Sequence, residues 1–365
     1  MNRPDVAVVG AGVTGLAIAR ELRSRGMTVA VVERAGIGAG ASGVQPGGVR
    51  QQWGTRVACR LARESVAFWS EVDARLDSRV PLVFARCGYL FVAETDETLA
   101  RLAANVVLQN DEGIDSRIVG SQEAAELVPG LDGDVIAGGA WCAEDGYFDR
   151  PQAVVEAFAH GVDVRQATVA TIERAGTGWS VGSVTADAVV VAAGVDTAAL
   201  LAPLGIDLPI VAEERYLFFS DPIRERLLEP LVVAPERGFA AKQLADGRVL
   251  ASDLAARGDE EEGRERWRAT VRSASDALLP QLAHVSYPLL VRGVYDVTPD
   301  HQPILGPVDD GAFVAAGFSG HGFMIAPAVA RIVADAVEGE RDPVLEVLGH
   351  ERFASGRLVP EPQLV

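Results

Sequence analysis

The clearest pattern in the chain is a short apolar run, Val6–Val9, that leads through a glycine-rich turn to a second apolar run at 29–32. Unbroken runs of β-branched and small apolar residues are typical of strands buried on both faces of a parallel sheet. The segment between the runs carries Arg20 and Glu21 among apolar positions, as a helix does. The pattern therefore predicts a strand, a turn, a helix and a second strand, which is a βαβ unit.

Beyond residue 50 the pattern predicts short strands separated by amphipathic helices. Helices are expected at 55–77, with Thr55 as N-cap, at 95–109, from 121, from Asp149 as cap with Pro151 in the first turn, and at 260–279. Strands are expected at 83–84, 88–93, 135–141, 162–165, 169–173, 179–184, 187–193, 215–220, 231–234, 248–251 and 285–294. The last predicted element is a strand from Phe313, a second glycine-rich turn and a helix to about Val337.

Composition narrows the class of protein. The 365 residues include 33 basic and 51 acidic side chains, giving a formal charge of −18, which disfavours nucleic acid and anionic membranes as partners. The longest nearly uncharged stretch, 188–206, contains Asp196 and Pro203, so no membrane span is expected. Cys59, Cys87 and Cys142 lack a paired spacing, and without an export signal they predict reduced thiols in a cytoplasmic protein.

The glycine-rich turn of the first βαβ unit has the spacing of a dinucleotide fingerprint, with Gly10, Gly12 and Gly15 followed by Glu33. Gly10 allows a sharp turn, Gly12 allows a pyrophosphate to approach the backbone, and Gly15 allows close packing of helix on strand. Glu33 is placed to accept hydrogen bonds from a ribose and would repel a 2′-phosphate, which favours NAD or FAD over NADP. The alternative, a signal-peptide core at 6–19, is disfavoured by three glycines in register.

The sequence contains no motif of several other common enzyme classes. The chain has no P-loop and no HExxH, and the run from Gly40 through Ser42 lacks the last glycine of a nucleophile elbow. The five histidines are too scattered for a recognisable zinc site, so no metal is predicted.

Several longer segments, taken in order, carry a family resemblance. They are the N-terminal fingerprint, GASGVQPGGVRQQW at 40–53, EDGYFDRPQAVVEAFA at 144–159, ADAVVVAAGVDT at 186–197, GVYDVTPDHQPILGPV at 293–308 and FVAAGFSGHGFMIAPAVARIVADAV at 313–337. Together they resemble the D-amino-acid oxidase and sarcosine oxidase (DAO) superfamily of FAD-dependent oxidoreductases. Within it the chain is most similar to the β subunits of bacterial proline and sarcosine oxidising enzymes.

The resemblance implies a fold class of α/β (α+β), with an interrupted Rossmann-like FAD-binding domain and a second domain built on an antiparallel sheet. Since the glycine-rich turns lie near both ends and in the middle of the chain, we assign 1–78, 146–205 and 299–365 to the discontinuous FAD-binding domain. The ranges 79–145 and 206–298 are then the substrate-binding domain.

The resemblance also implies roles for individual residues toward FAD. The pyrophosphate would lie against the first glycine-rich turn, Glu33 would bind the adenosine ribose, and the backbone of Val169 would meet the adenine. The full cofactor-binding set carried over is Gly10, Gly12, Val13, Thr14, Gly15, Glu33, Arg34, Ser42, Gly47, Gly48, Val169, Ala193, Gly194, Gly320, His321, Gly322, Phe323 and Met324. The segment from Gly320 to Met324 would lie near the flavin pyrimidine carbonyl, where reduction builds negative charge.

Departures from the family qualify these expectations. Relatives that attach flavin covalently use a cysteine near 292–295 or a histidine in the N-terminal loop, and this chain has neither, so we expect non-covalent FAD. Met324 and Tyr295 stand where relatives carry a lysine or an arginine for the substrate carboxylate. An oxygen-activating lysine of some oxidases is replaced around Val249, which favours a dehydrogenase.

On the substrate side, Arg50 is the first candidate, because an arginine fork matches a carboxylate in two parallel hydrogen bonds. The alternative is an arginine paired with one of the many acids. Tyr216, Lys242, Arg292 and Tyr295 are further candidates, unless these strand residues point to solvent. His321 would tune the flavin charge or act as a base, or else it is a structural residue with a hydrogen-bond partner. The predicted catalytic set is Arg50, His321, Tyr216 and Tyr295.

These observations predict an FAD-dependent oxidoreductase that oxidises the C–N bond of a small-molecule amine or amino acid, as an oxidase or a dehydrogenase. Hydride would pass to flavin N5 and leave an imine, with the hard chemistry supplied by the flavin. The electron acceptor, whether oxygen, a quinone or a partner subunit, stays open. Two alternatives also remain: an NAD-dependent dehydrogenase, and a flavin-binding subunit or assembly factor without turnover.

Overall fold

The computed structural model describes residues 3–362, which form twenty strands and eleven α-helices. The strands are β1 (Val6–Val9), β2 (Val29–Glu33), β3 (Gly48–Val49), β4 (Phe84–Ala85), β5 (Tyr89–Ala93), β6 (Ser116–Gly120), β7 (Gly138–Cys142), β8 (Gly146–Phe148), β9 (Asp163–Gln166), β10 (Ile172–Ala175), β11 (Gly178–Val181), β12 (Val184–Ala186), β13 (Ala188–Val191), β14 (Val211–Phe219), β15 (Leu231–Ala234), β16 (Phe239–Gln243), β17 (Val249–Asp253), β18 (Leu289–Val297), β19 (Ile304–Asp309) and β20 (Ala312–Ala316). The helices are α1 (Val13–Ser24), α2 (Arg56–Trp69), α3 (Val72–Arg75), α4 (Asp96–Asp111), α5 (Ser121–Leu127), α6 (Pro151–Ala159), α7 (Thr197–Leu201), α8 (Glu260–Leu278), α9 (Gly322–Val337), α10 (Pro343–Leu348) and α11 (Glu351–Ala354). Across 3–362 no helix combines the length and the apolarity needed to cross a membrane.

A six-stranded sheet contains the first βαβ unit, in the order β19-β20-β13-β1-β2-β9. Strand β1 pairs in parallel with both β2 and β13, so the strand order reverses beside it. In an open α/β sheet such a reversal leaves a crevice at the carboxyl ends of the strands, and ligands bind there. The fingerprint turn lies at this edge, directly after β1.

Helices α1 and α9 pack side by side on one face of this sheet. Leu16 and Ile18 from α1 and Val329 and Val333 from α9 are fully buried in one cluster. The hairpin sheet β10-β11-β12 covers the other face, where Trp179 is buried against the sheet valines. Both faces of β1 are therefore apolar, as the unbroken valine run predicts.

An eight-stranded sheet forms the second half of the molecule, in the order β18-β14-β17-β16-β15-β5-β7-β6. Most neighbours in it are antiparallel, and β15 with β5 is a parallel pair. One face packs on α8 through Trp267 and Val271. The predicted α/β fold with a second, antiparallel sheet is thus confirmed. A small sheet, β3-β8-β4, joins β4 of the assigned substrate-binding domain to β3 and β8 of the assigned FAD-binding domain, and the domain boundaries stay a prediction.

Helix α9 contains Pro327, which has no N–H, and hydrogen bonds on either side of this proline join α9 to α2. The indole of Trp69 donates to the Met324 carbonyl at 2.9 Å, and the amide of Ala328 donates to the Ser65 hydroxyl at 3.2 Å. The Met324 carbonyl and the Ala328 amide would otherwise bind each other within α9, and here they bind side chains of α2 instead. This join fixes the position of the glycine-rich turn that precedes α9.

Several sequence predictions need correction at the level of elements. The helix expected at 55–77 is two helices, because the Ser70 hydroxyl donates to the Val66 carbonyl at 2.9 Å and α2 ends there. The N-cap before Pro151 is Arg150 rather than Asp149, whose carboxylate accepts from the Ala245 amide at 2.9 Å. The strand expected from 169 begins only at Ile172, and β16 and β19 were not anticipated.

The three cysteines, which were expected as reduced thiols in the core, are all free. Cys59 and Cys142 are buried and Cys87 is half-buried. Burial raises the pKa of the Cys87 thiol to about 11, so this thiol is protonated near neutral pH.

A buried ion pair anchors the C-terminal segment to the turn between β18 and β19. Arg352 binds Asp300 in a two-pronged contact, with Nε to Oδ2 at 2.8 Å and Nη2 to Oδ1 at 3.0 Å. The two side chains are 1% and 0% exposed. Burial alone would raise the carboxyl pKa, but the Arg352 guanidinium holds the pKa of Asp300 below its usual value.

We predict that Asp300→Asn lowers the free energy of unfolding by about 3–5 kcal/mol, because it leaves the Arg352 charge buried and uncompensated. The depressed pKa means that the contribution of Asp300 is present above about pH 4 and is lost as the pH falls further. Urea unfolding at neutral and acidic pH measures both effects. In the control Glu71→Gln, at an exposed pair with Arg75, the change should stay below about 1 kcal/mol. An equally small change in Asp300→Asn would contradict the assignment.

Candidate active site

A long groove runs along the carboxyl edge of the six-stranded sheet and has a volume of about 640 Å³. Its walls come from the fingerprint turn after β1, the end of β2, the loop 39–45, the loop before β10, the turn after β13, strand β18 and the turn before α9. A volume in this range is that of a cofactor-sized site. The three glycine-rich turns of the sequence therefore line a single cavity.

The three fingerprint glycines have different surroundings. Gly10 has a φ of +104° and a Cβ there would lie 2.4 Å from the Ala192 carbonyl oxygen, while one on Gly15 would lie 2.1 Å from the Gly10 carbonyl oxygen. These two positions need glycine for packing within the protein. A Cβ on Gly12 would meet only the Ser42 hydroxyl, at 3.3 Å. Gly12 therefore leaves its backbone open to a ligand in the groove, beside the N-terminus of α1.

Polar side chains hold the nucleotide end of the groove in place. The Glu33 carboxylate accepts from the amides of Ala11 and Ala35, both at 2.8 Å, so it is fixed at the end of β2. The Ser42 hydroxyl accepts from the Val13 amide at 2.9 Å and ties the loop to α1. Arg34 and Asp196 form an ion pair at 2.7 Å between two walls of the groove.

Most of the remaining predicted cofactor residues also line this groove. They are Thr14, Val169, Ala193, Gly194, Gly320, Gly322 and Phe323. Gly47 directly precedes β3, and a Cβ there would lie 2.6 Å from the Phe148 carbonyl oxygen. Gly48, His321 and Met324 line the neighbouring cavity described next.

A second cavity of about 160 Å³ lies between the groove and the eight-stranded sheet. The two cavities share residues from the loop 41–45, from β18 and from the turn before α9, namely Ala41, Val44, Gln45, Gly293, Tyr295, Gly320 and Phe323. The second cavity is mostly apolar, with the cationic side chains of Arg50, Arg215 and Lys242 in its walls. A ligand there would lie beside whatever occupies the adjoining part of the groove.

The turn before α9 is held against β18 by Asp296. Its carboxylate accepts from the Gly317 amide at 2.7 Å, and its carbonyl accepts from the Ser319 amide at 2.9 Å. Burial raises the pKa of Asp296 to about 6. A Cβ on Gly320, where φ is +93°, would lie 2.3 Å from the Tyr295 ring. Strand β18 thus holds the turn so that the N-terminus of α9 faces the place where the cavities meet.

Arg50 is 1% exposed and follows β3. Its guanidinium lies 3.6 Å from the centroid of the Trp53 ring and donates to the Gln52 carbonyl at 2.6 Å. The carboxylate of Asp145, which is fully buried, accepts from the Gln51 amide at 2.9 Å and from the Gln52 side chain at 3.2 Å. Burial raises the pKa of Asp145 to about 6. Asp145 therefore holds the loop that carries Arg50.

His321 is the N-cap of α9 and is 7% exposed. Its ring packs edge-on against Trp53 with centroids 4.2 Å apart. Burial, followed by the nearby Arg50 charge, lowers the pKa of His321 well below its usual value, so the imidazole is neutral. Among residues 3–362 its Nε2 has no hydrogen-bond partner.

The two tyrosine candidates, Tyr295 and Tyr216, lie in different places. Tyr295 lines both cavities. The ring of Tyr216 lies on the other face of the eight-stranded sheet, stacked on Trp267 at 4.2 Å, and its hydroxyl donates to the Gly258 carbonyl at 2.6 Å. Tyr216 also borders the second cavity, although its ring and hydroxyl are engaged on the side of the sheet that packs on α8. Its catalytic role stays a prediction.

The other two strand candidates, Arg292 and Lys242, differ in the burial of their charges. The guanidinium of Arg292 pairs with Glu214 at 2.8 Å and is 55% exposed. Lys242 is 2% exposed, donates to the Pro46 carbonyl, and lies 4.1 Å from the centroid of the Tyr147 ring. Burial lowers the pKa of Lys242 to about 7. Of these two strand residues, Lys242 is the one whose charge lies inside the cavity.

Sequence reasoning missed Asp145, Asp296 and Arg215. Each is a charged residue that burial makes important, and no local spacing reveals burial. The acidic pair at 144–145 lies in a segment that carried the family resemblance, but the motif gave no hint that Asp145 contacts the loop of Arg50. For Arg215, the alternation along β14 was the available signal, because it lies on the same face as Leu217 and on the opposite face from Tyr216.

The comparisons with known proteins agree with this geometry. A family model described as DAO, FAD dependent oxidoreductase, matches residues 5–336. The β subunit of sarcosine oxidase from Rhodobacter capsulatus is 25% identical over 99% of this chain and 91% of its own length. Glycine oxidase from Pseudomonas aeruginosa is 29% identical over 93% of this chain and 96% of its own. The similarity therefore extends over nearly the whole of both chains.

Solved structures give the same result. L-Proline dehydrogenase from P. horikoshii superposes with a TM-score of 0.90 and 26% identity, covering 98% of this chain and all of its own. Glycine oxidase from Geobacillus kaustophilus superposes with a TM-score of 0.85 and 25% identity, covering 94% of this chain and 96% of its own. The predicted resemblance and the predicted cofactor, FAD, are confirmed.

We predict that Gly12→Ala removes FAD without unfolding the protein, because the new methyl group meets only a hydroxyl within the protein but points into the groove. The ratio of flavin to protein after purification should fall at least roughly tenfold, as expected when backbone can no longer approach a pyrophosphate. The control is Gly120→Ala at the far edge of the eight-stranded sheet, where a methyl group meets nothing within 4 Å. Full flavin content in Gly12→Ala, with the fold intact by circular dichroism, would contradict the proposed contact.

Proposed function

The chain belongs to the DAO family of FAD-dependent oxidoreductases, and from this premise we propose that it oxidises the C–N bond of a small amine or amino acid to an imine. One observation carries the proposal: a mostly apolar cavity with cationic side chains in its walls opens onto the FAD groove at Tyr295 and Gly320. Such a cavity suits an organic substrate that carries a carboxylate next to its reacting carbon.

FAD, when bound, would supply the acceptor for a hydride, which carries two electrons, from the carbon that bears the nitrogen. The residues that hold it are those of the groove, with Gly12 beneath the pyrophosphate and Glu33 at the ribose. Helix α9 begins at Gly322, directly after the turn that carries Gly320 and His321, and the first backbone amides of a helix have no acceptor within the helix. These amides stabilise negative charge that develops beside them during the reaction.

Arg50 binds the substrate carboxylate and sets the orientation of the reacting carbon. A guanidinium is suited to this because it presents two parallel donors to a carboxylate. Aromatic packing on Trp53 and the loop held by Asp145 keep the guanidinium in one position. The nearby Tyr89, Glu361 and Asp145 favour the charged form of Arg50 against the effect of burial.

Tyr295 and His321 form the wall of the cavity nearest the groove. Neutral His321 adds no positive charge beside the substrate nitrogen, so it does not oppose an amine that must give up hydride. Its Nε2 is buried and has no hydrogen-bond partner among residues 3–362. No proton transfer is assigned to it, since an amine that enters neutral needs no base.

FAD is held without a covalent bond. Gly293 and Val294 stand in the segment where some relatives carry the attaching cysteine, and the three cysteines of this chain are elsewhere. Denaturation should therefore release the whole of the flavin into the supernatant as FAD.

Anaerobic mixing of the purified holoprotein with N-methyl, cyclic and primary amino acids tests the proposed reaction. At least one of them should bleach the visible absorbance of the flavin within seconds to minutes and yield the corresponding oxo product after hydrolysis. Dithionite provides the control for a reducible flavin. If dithionite bleaches the flavin while no compound of the panel does, the protein is a flavin-binding subunit without turnover of its own.

Arg50→Gln should weaken the binding of a carboxylate substrate roughly tenfold to a hundredfold, which is the loss expected for a charge-assisted hydrogen bond. Flavin content should stay within about a third of the wild-type value, because Arg50 lines only the smaller cavity. The concentration dependence of anaerobic flavin reduction gives the affinity. Arg50→Lys keeps the charge without the fork and should fall between the two. Loss of flavin with unchanged substrate affinity would show that Arg50 acts on the cofactor instead.

A further inference from the structure

Arg215, in the middle of β14, points its charge into the substrate cavity from the wall of the eight-stranded sheet. Its side chain is 20% exposed, and its guanidinium lies 5.2 Å from the centroid of the Tyr295 ring. Only its Nη1 is used within residues 3–362, by the Glu213 carboxylate and by the Glu214 carbonyl at 3.2 Å. The Nε and Nη2 donors are left for a ligand, which is unusual for a guanidinium this buried.

Arg215 shares its nearest acidic partner with a second guanidinium. Arg257 binds the same Glu213 carboxylate, so two guanidiniums share one acid. Asp253 also lines the cavity, but its carboxylate accepts from the Ala255 amide at 2.9 Å and acts on Arg257. Burial, and then repulsion from Arg257, lowers the pKa of Arg215 to about 10. An anion beside Arg215 would offset both the loss of hydration and the repulsion from Arg257.

Arg215 and Arg50 approach the cavity from different walls. Arg50 lies over Phe91 on β5, with its guanidinium 5.2 Å from the ring centroid. Strands β14 and β5 are four steps apart in the sheet, which places their backbones roughly 19 Å from each other. The two long side chains therefore reach into one cavity from different walls and serve as separate anchors.

We propose that Arg215 is a second anion subsite, and that the substrate is an amino acid bearing a second carboxylate, with one carboxylate at Arg50 and the other at Arg215. The reacting C–N bond lies between them, beside Tyr295 and the turn before α9. This proposal rests on the proposed function for the reaction, and it adds the substrate class. It also gives a reason for a cationic cavity in a protein with a formal charge of −18.

Calorimetric titration of the FAD-loaded protein with non-reacting acids tests the subsite without turnover. Succinate and glutarate should bind at least about tenfold more tightly than acetate and butyrate, because each gains a charge-assisted contact. Arg215→Gln should abolish that difference and leave the affinity for butyrate unchanged. The control Arg237→Gln removes a guanidinium that is 29% exposed and is likewise paired with a glutamate, Glu94, but lies outside both cavities; it should keep the wild-type preference.

Two outcomes overturn the proposal. Diacids that bind the wild-type protein no more tightly than monoacids would show that there is no second subsite. Butyrate affinity that falls in Arg215→Gln as much as diacid affinity would show that Arg215 is the single carboxylate anchor. If Arg215→Gln does not fold, Arg215→Lys, which retains the charge, should keep a reduced preference for diacids.

A reaction panel separates this proposal from the proposed function. Aspartate, glutamate and their N-methyl derivatives should bleach the flavin at lower concentrations than alanine, sarcosine or proline. Bleaching by the monocarboxylic compounds alone would overturn the substrate class and leave the reaction standing. Tight binding of diacids with no bleaching by any amino acid would instead overturn the reaction and support the anion subsite.

Discussion

The active site depends on one close contact, between the turn before α9 and strand β18. A side chain at Gly320 would overlap the Tyr295 ring, and Asp296 binds the backbone of the same turn at two points. The turn belongs to the six-stranded sheet and β18 to the eight-stranded sheet. The groove and the substrate cavity share a wall here, so any change that separates the two surfaces also separates cofactor from substrate.

The contact between the two sheets also accounts for the buried charges around the substrate cavity. A cavity enclosed between two sheets excludes water, so each charge in it needs a fixed partner or a ligand. Asp145 holds the loop of Arg50. Glu213 is shared by two guanidiniums, and Lys242 contacts a carbonyl and an aromatic ring. The cavity wall therefore carries the cationic groups Arg50, Arg215 and Lys242 on an otherwise mostly apolar surface. Substrate carboxylates are the natural counter-charge.

The local part of this site was predictable from the sequence, and the long-range part was not. Gly10, Gly12, Gly15 and Glu33 lie within one βαβ unit, so their spacing alone fixes where they meet. The C-terminal turn was predictable in kind, because an apolar strand, glycines and a helix follow each other directly. Its distance from the N-terminal turn depends on the order of the strands, which only the family resemblance implied.

The limits of the sequence reasoning have physical causes of the same type. Tyr216 and Arg215 are neighbours on one strand and both border the cavity, and which side chain enters it depends on which face of the sheet packs on α8. Asp149 satisfies the helix-cap pattern, yet its carboxylate binds a backbone amide far along the chain. Asp145 and Asp296 look like surface acids until burial is known, since acidic residues are rarely buried without partners.

The most direct measurement of the central claim is an experimental structure of the protein with FAD bound. The account predicts that the isoalloxazine ring lies where the two cavities meet, against Tyr295 and the turn from Gly320 to Met324, with the ribose at Glu33. A ring found at the opposite end of the groove, beside Val169, would contradict it.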